Sequence, residues 1–227
     1  VSEICVLSLP DGPSVGSVPL FIFKLKIMST SSLERCFQCR LIVQECICRD
    51  ITPIWVEHKI TLLTTKREER IPSNTGRLLR LMLDNNSLVY VGEKGWEKEI
   101  EAEIARSEYT PVIFFPIPHS RDGQEIIQEE KKPLNIFVLD TSWSSARRWF
   151  RKLAFMDVKK IGLRTMPSSR YYLRKQFKAG NLCTFQAVTT LLDELGTEGF
   201  GSAVPGINEI FTLWVNSQAK ERGLTFP

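Results

Sequence analysis

Four cysteines, Cys36, Cys39, Cys46 and Cys48, lie close together in a C-x2-C-x6-C-x-C pattern. Four thiolates at this spacing suit the tetrahedral site of a structural zinc ion. Two short-range disulfides are the alternative, but the sequence shows no secretory signal, and thiols in a reducing compartment stay unpaired. We therefore predict a structural zinc site, closed to substrate because the protein supplies all four ligands.

A carboxylate, two hydroxyls and an indole follow one another at Asp140, Thr141, Ser142 and Trp143. They come directly after a β-prone run at residues 135–139, and an arginine-rich helical stretch follows them. Parallel α/β sheets bind their ligands at such junctions between strand and helix. The alternative is a helix cap, in which Asp140 or Ser142 satisfies the first amides while Trp143 fills the core. This pattern alone leaves both interpretations open.

A turn at Asn74, Thr75 and Gly76 leads into Arg77 and an apolar segment. Such a turn can present backbone amides and a guanidinium to a phosphate or a carboxylate. An ordinary loop that enters a helix is the alternative. The sequence contains neither a Walker-type phosphate loop nor a Gly-x-Gly-x-x-Gly fingerprint, which removes the usual support for nucleotide hydrolysis and dinucleotide binding.

Positive charge is concentrated in one part of the chain. The formal net charge is +4, yet residues 147–178 contain eleven Lys or Arg residues against a single acid, Asp157. A solvated helical face is one interpretation of this segment. Aromatic residues interleaved with the cations favour a surface that contacts nucleic-acid phosphates.

Hydrophobic patterning predicts the elements that position these residues. Short β-prone runs at residues 60–63, 89–92, 112–117 and 135–139 alternate with helical stretches. The helices are expected at residues 97–108, after the turn at Gly76, from Thr184 to Gly196, and at residues 207–219. This alternation predicts an α/β fold with a mostly parallel sheet sandwiched by helices.

With 227 residues, 43% of them hydrophobic, the chain is long enough to form a globular core. No apolar run reaches the roughly 18 residues that a membrane span requires, so we expect no membrane association. The missing secretory signal predicts a cytoplasmic location. The oligomeric state is left open.

The order of these motifs resembles the DTW-domain family, the tRNA-uridine aminocarboxypropyltransferases. The resemblance covers the chain from Cys36 to about Leu195. Its matching blocks are the four cysteines, Asn74 to Leu78, Phe115-Pro116, the naming motif from Asp140 to Trp143 with Ala146-Arg147, the set Ser169, Tyr171, Leu173 and Arg174, and the set Leu182, Thr184 and Ala187.

Three positions depart from the family pattern. Ser142 replaces a threonine and keeps the hydroxyl, whereas Gln186 replaces a glutamate and loses the charge. Residues 65–68 read Thr-Lys-Arg-Glu where the family tends to carry His-Pro-x-Glu, so only the acid, Glu68, is retained. We expect these changes to leave the cofactor site in place and to affect RNA recognition more.

The resemblance implies a knotted, SPOUT-like α/β fold that binds S-adenosylmethionine at the carboxyl ends of its strands. It also implies transfer of the 3-amino-3-carboxypropyl group to the imide nitrogen of a uridine in tRNA, with release of methylthioadenosine. A carboxylate can take the imide proton, and Asp140 is the predicted catalytic base. The alternatives are a knotted RNA methyltransferase with the same cofactor, and a non-catalytic zinc-containing RNA-binding protein.

The same resemblance predicts the residues of each site. Arg77 or Arg174 is expected to bind the carboxylate of the cofactor's amino acid tail. The predicted cofactor site comprises Phe115, Pro116, Asp140, Thr141, Ser142, Trp143, Leu182, Thr184 and Arg174. The predicted tRNA contacts are Asn74, Thr75, Gly76, Arg77, Arg147, Arg148, Arg151, Lys152 and Lys175. The chain is expected to divide into a poorly ordered N-terminal extension at residues 1–30, the four-cysteine zinc motif at residues 31–50 and a DTW catalytic domain at residues 51–227.

Overall fold

The computed structural model describes residues 34–117, 120–174 and 181–224, which all belong to one compact unit, Leu33–Pro227. The predicted extension at residues 1–30 and the predicted tRNA contact Lys175 lie outside the described residues. The division between a zinc motif and a catalytic domain stays a prediction.

Five parallel strands form the central sheet. In chain order they are β1 (Lys59–Thr64), β2 (Asn86–Tyr90), β3 (Thr110–Phe114), β4 (Leu134–Leu139) and β5 (Lys159–Ile161). Their order across the sheet is β2-β1-β4-β3-β5. Every residue of β1 and β4 is buried, as expected for inner strands that are covered on both faces.

Helices connect the strands and follow the last one. They are α1 (Lys66–Glu69), α2 (Thr75–Met82), α3 (Trp96–Ile104), α4 (Gly123–Glu130), α5 (Trp143–Lys152), α6 (Thr184–Glu194) and α7 (Phe200–Glu221). Short 3-10 turns occur at Val43–Glu45 and Leu153–Met156. Strand and helix alternate along most of the chain, as the sequence pattern predicts.

The two faces of the sheet support separate hydrophobic cores. On one face Ile60 and Leu62 of β1 belong to a cluster that includes residues of α2, α6 and α7. On the other face Leu63 belongs to a cluster with residues of α3 and α5. Alternate strand residues point to opposite faces, which explains this division. The predicted α/β fold with a parallel sheet between helices is confirmed, whereas the predicted knot stays a prediction.

Several elements differ from the sequence prediction. The sequence pattern does not predict β5 or α1, because elements of three or four residues are too short to show a periodicity. It does not predict α4 either, because only Gly123 and Ile126 of that helix are buried. The last helix begins at Phe200 rather than at residue 207. Pro205 lacks an amide hydrogen, so it is expected near the start of a helix rather than inside it. The helix nevertheless begins before Pro205, at Phe200, whose fully buried side chain anchors the first turn.

Candidate functional site

The end of β4 is the point at which the predicted motifs meet. The amide of Asp140 donates to the carbonyl of Leu63 at 2.9 Å, and the Thr64 hydroxyl donates to the Asp140 carbonyl at 2.8 Å. These bonds extend the pairing of β1 and β4 by one residue. Asp140 is therefore held at the carboxyl edge of the sheet, where parallel sheets bind ligands.

The carboxylate of Asp140 lies beneath the starts of two helices. Asn74 Nδ2 donates to Asp140 Oδ2 at 2.8 Å, and the Thr184 side chain also hydrogen-bonds this carboxylate. Asn74 is at the same time the N-cap of α2, because its Oδ1 accepts from the Arg77 amide at 2.9 Å. Burial raises the pKa of Asp140, against the effect of the bonds from Asn74 and Thr184. One buried carboxylate thus joins the starts of α2 and α6.

A cavity of about 540 Å³ adjoins this carboxylate. Such a volume is typical of small-molecule sites. Its wall includes the ends of β3 and β4 and the first residues of α2, α5 and α6. Eight of the nine residues predicted to bind the cofactor line it, namely Phe115, Pro116, Thr141, Ser142, Trp143, Leu182, Thr184 and Arg174.

Asp140 is the ninth predicted residue, and it does not line the cavity. Its side chain is buried, with the residue only 4% exposed. Its hydrogen-bond partners Asn74 and Thr184 and its chain neighbour Thr141 form the wall instead. The role of Asp140 as the catalytic base stays a prediction, and its carboxylate lies behind these three residues.

Aromatic side chains form part of the apolar wall. The rings of Phe115 and Trp143 lie 6.5 Å apart between centroids, and Phe115 stacks on Phe150 of α5 at 4.5 Å. Packing of this kind restrains Phe115 and gives the cavity a rigid aromatic surface. A planar heterocycle such as adenine fits a surface of this chemistry.

An ion pair supplies charge to the same cavity. Arg174 Nη1 donates to Glu68 Oε1 at 2.6 Å, and Arg174 Nε donates to the Ser73 hydroxyl at 3.3 Å. Burial opposes the charge of Arg174, but Tyr171 and Glu68 outweigh it and raise the pKa of the guanidinium. Arg174 Nη2 is buried and has no hydrogen-bond partner within the described chain. This nitrogen leaves a donor for an anionic ligand.

Glu68 is a site residue that the sequence prediction omitted. It is 8% exposed, and among the described residues that line the cavity it is the one with a carboxylate. The sequence does offer one indication of this position: in the altered segment at residues 65–68, Glu68 is the residue of the family pattern that is retained. Its place in the cavity wall makes the Glu68 carboxylate a candidate for proton transfer.

The predicted tRNA contacts around α2 are mostly internal. Asn74 and Thr75 line the cavity, and Gly76 packs against the Asp140 carboxylate. Arg77 Nη1 donates to the carbonyl of Phe37 at 3.5 Å, so its side chain reaches the cysteine motif.

The predicted contacts on α5 have the opposite environment. Arg147, Arg148, Arg151 and Lys152 are all exposed. None of them forms an ion pair with a carboxylate of residues 34–117, 120–174 or 181–224. Because Trp143 at the start of α5 lines the cavity, this cationic face extends away from the site along one helix.

The four cysteines of the motif converge on one point. Their sulfur atoms all lie within 4.8 Å of one another, with 3.7 Å between Cys36 and Cys48 and 3.8 Å between Cys39 and Cys46. Four sulfurs at about 2.3 Å from a central zinc would be about 3.8 Å apart in a tetrahedron. All four are free thiols. They can therefore hold a metal ion.

The cysteine motif is tied to the rest of the fold. Trp214 Nε1 of α7 donates to the carbonyl of Cys39 at 2.9 Å, and both residues are fully buried. Burial opposes ionisation of Cys36, but bonds from the Cys39 amide and the Cys46 thiol outweigh it and lower its pKa to about 7. A thiol of this kind ionises readily when it binds a metal.

In the part of the chain that the structure describes, none of the helices combines the length and apolar character needed to cross a bilayer. No solved structure matches the chain. A family model described as the DTW domain matches residues 33–219. Because that match covers most of the 227 residues, the chain belongs to the DTW domain family.

Proposed function

We propose that this protein transfers the 3-amino-3-carboxypropyl group of S-adenosylmethionine to the imide nitrogen of a uridine in tRNA and releases methylthioadenosine. Membership of the DTW family is consistent with a tRNA-modifying role. The observation that carries the proposal is one cavity, at the carboxyl ends of β3 and β4, lined by the family's motif residues and by the Glu68–Arg174 pair. A knotted, SPOUT-like chain path and a cytoplasmic location are parts of the same proposal.

The cavity has groups for each part of the cofactor. Phe115 and Trp143 offer an aromatic surface for the adenosine. Arg174 Nη2, which is buried and has no partner among the described residues, can donate to the carboxylate of the amino acid tail. The cofactor, when bound, supplies an electrophilic carbon beside its sulfonium. The protein then has to hold the uridine nitrogen in line with that carbon, which is where positioning lowers the barrier.

Removal of the imide proton requires a base. Asp140 is the base predicted from the sequence, but Asn74 and Thr184 already occupy its buried carboxylate. Glu68 lines the cavity. We therefore assign proton transfer to Glu68 and assign Asp140 the positioning of α2 and α6. The proton passes to the Glu68 carboxylate while the new nitrogen–carbon bond replaces the carbon–sulfur bond.

The other predicted ligands keep separate roles. The exposed cations of α5, Arg147, Arg148, Arg151 and Lys152, are proposed to contact tRNA phosphates, and Lys175 is proposed to join them. Contacts of this type hold RNA without selecting its sequence. The four cysteines are proposed to bind a structural zinc ion, whose role is to hold their loop against α7.

Product analysis tests the proposed reaction. The protein is incubated with S-adenosylmethionine and unmodified tRNA, and the released nucleoside and the modified uridine are identified by mass spectrometry. We expect methylthioadenosine and a uridine that carries the aminocarboxypropyl group. S-adenosylhomocysteine would instead establish methyl transfer. Unchanged tRNA with intact binding would favour the non-catalytic RNA-binding alternative.

A further inference from the structure

Three arginines meet where α2 contacts the cysteine motif. Arg77 of α2 donates to the Phe37 carbonyl and also, through Nη2, to the Glu69 carbonyl. Arg80 Nη1 lies 3.5 Å from Glu69 Oε1, and Arg77 Nη2 lies 3.8 Å from the same oxygen. Burial lowers the pKa of Arg77, and the positive charge of Arg40 lowers it further. Glu69 is thus shared between two guanidinium groups of this arginine cluster.

The positive charge of the arginine cluster is not balanced by the acid beside it. Glu69 also accepts a hydrogen bond from the Tyr90 hydroxyl at 2.5 Å. The single carboxylate of Glu69 is therefore shared between the two cations Arg77 and Arg80, and Arg40 adds a third positive charge beside Arg77. An excess of positive charge at partly buried positions favours the binding of an anion.

Unused hydrogen-bond donors give the same indication. The Nε atoms of Arg40, Arg77 and Arg80 are buried and have no partner within the described residues. The whole of Arg77 is only 8% exposed. A buried donor without an acceptor costs stability. Three such donors in one cluster are explained if an anionic acceptor from outside the chain completes it.

An exposed aromatic ring lies next to these arginines. Phe37 is 81% exposed, more than any other large apolar side chain of the described residues. The guanidinium carbon of Arg40 lies 5.7 Å from the centre of its ring. Cations beside an exposed aromatic ring are typical of surfaces that bind a phosphate and stack an unpaired base.

The arginine cluster adjoins the cavity through two short elements. Glu68 lines the cavity, whereas the next residue of α1, Glu69, contacts the arginines. On α2, Thr75 lines the cavity and Arg77 belongs to the cluster. RNA with a uridine in the cavity would therefore have a neighbouring nucleotide close to this surface.

We propose that the arginine cluster and Phe37 form a second RNA contact, in which the arginines bind a backbone phosphate and Phe37 stacks on an unpaired base that flanks the modified uridine. This inference rests on the proposed function, since it requires that the substrate be RNA. It adds contacts on the cysteine motif to those proposed for α5.

Binding measurements with matched variants test the second contact. Phe37→Ala and Arg80→Gln are compared with Leu213→Ala and Arg106→Gln, which remove an exposed apolar side chain from α7 and an ion-paired arginine near α3. The dissociation constant for unmodified tRNA is measured by fluorescence anisotropy at several salt concentrations. Melting temperature and metal content establish that each variant is folded.

We expect Phe37→Ala to weaken tRNA binding by about fivefold or more. Arg80→Gln should make log affinity fall less steeply with the logarithm of the salt concentration, by about the amount that one phosphate contact contributes to the slope. Both control variants should bind as the wild type does. If the wild type binds and modifies tRNA while Phe37→Ala and Arg80→Gln behave like their controls, the second contact is refuted and the proposed function stands. A wild type that neither binds nor modifies tRNA overturns both.

Discussion

The carboxylate of Asp140 occupies the space that a side chain at Gly76 would need. A Cβ atom on Gly76 would lie 2.3 Å from Asp140 Oδ2 and 2.4 Å from its Cγ, far inside van der Waals contact. Gly76 is the second residue of α2, next to the positive end of that helix. The glycine therefore lets the helix start rest directly on a buried carboxylate.

Gly76→Ala is expected to destabilise the protein. The added methyl group must displace either the Asp140 carboxylate or the first turn of α2, and overpacking of this kind costs about 1 to 3 kcal/mol. Because Asn74 and Thr75 of the same turn line the cavity, activity should fall with stability. Thermal unfolding and a turnover assay measure both effects.

Gly206→Ala is the matched control for that change. Gly206 lies within α7, and nothing comes within 4 Å of a Cβ built on it. Alanine is favoured over glycine inside a helix by about 1 kcal/mol, so this variant should be as stable as the wild type or more so. Equal melting temperatures for Gly76→Ala and the wild type would contradict the close contact with Asp140.

The two carboxylates of the site are expected to respond differently to amide substitution. Glu68→Gln removes the proposed base and should lower the turnover number by about 10²-fold or more. Asp140→Asn retains a hydrogen-bond acceptor for Asn74 and should keep turnover within about tenfold of the wild type, since a positioning contact remains. Single-turnover kinetics with saturating cofactor measure the difference. The reverse order of effects would assign proton transfer to Asp140.

Stability should depend on metal bound to the cysteine motif. We expect about one zinc ion per chain, because four thiolates form a closed tetrahedral site. Chelation should lower the melting temperature, since the Cys39 carbonyl anchors Trp214 of α7. Cys46→Ser should lose the metal. Cys183→Ser, outside the cluster, should retain it, and metal analysis of the two variants separates these outcomes.

The exposed cations of α5 should determine part of the salt dependence of RNA binding. Replacement of both Arg148 and Arg151 by glutamine should make log affinity fall less steeply with the logarithm of the salt concentration, by about the amount that two phosphate contacts contribute to the slope. Arg121→Gln removes an arginine that is paired with Glu129 and serves as the control. An unchanged slope in the double variant would remove α5 from the proposed RNA surface.

Acid should destabilise the protein through His58. Its side chain is buried and its Nδ1 accepts a hydrogen bond from the Leu134 amide at 3.2 Å, which requires the neutral ring. Burial lowers the pKa of His58 below its ordinary 6.5, against the attraction of Glu57. The unfolded chain then binds more protons than the folded one below about pH 6.5, so stability falls as the pH decreases.

Unfolding measured from pH 7.5 to pH 5 checks this dependence on His58. The free energy of unfolding of the wild type should fall below about pH 6.5. In His58→Gln the same range should show a smaller decrease, because glutamine can accept the Leu134 bond without titrating. Parallel pH curves for the two proteins would show that His58 does not cause the acid sensitivity.

Much of the fold followed from local patterns in the sequence. The β-prone runs such as residues 135–139 predicted strands, and their alternation with helices predicted a mostly parallel sheet. The spacing from Cys36 to Cys48 predicted a shared ligand site because neighbouring thiols can reach one point without help from distant residues. The cysteine sulfurs do converge. The four cations of α5 are exposed, and their contact with RNA stays a prediction.

The presence of Glu68 rather than Asp140 in the cavity wall depends on how distant elements pack together. Local sequence patterns place Asp140 directly after a strand and Glu68 ahead of the turn that leads into α2. They do not determine that the starts of α2 and α6 would both close over Asp140, since that depends on residues more than 40 positions away along the chain. Side chains at a strand end are oriented by whichever elements pack there, so burial of Asp140 and access to Glu68 became visible only in the assembled fold.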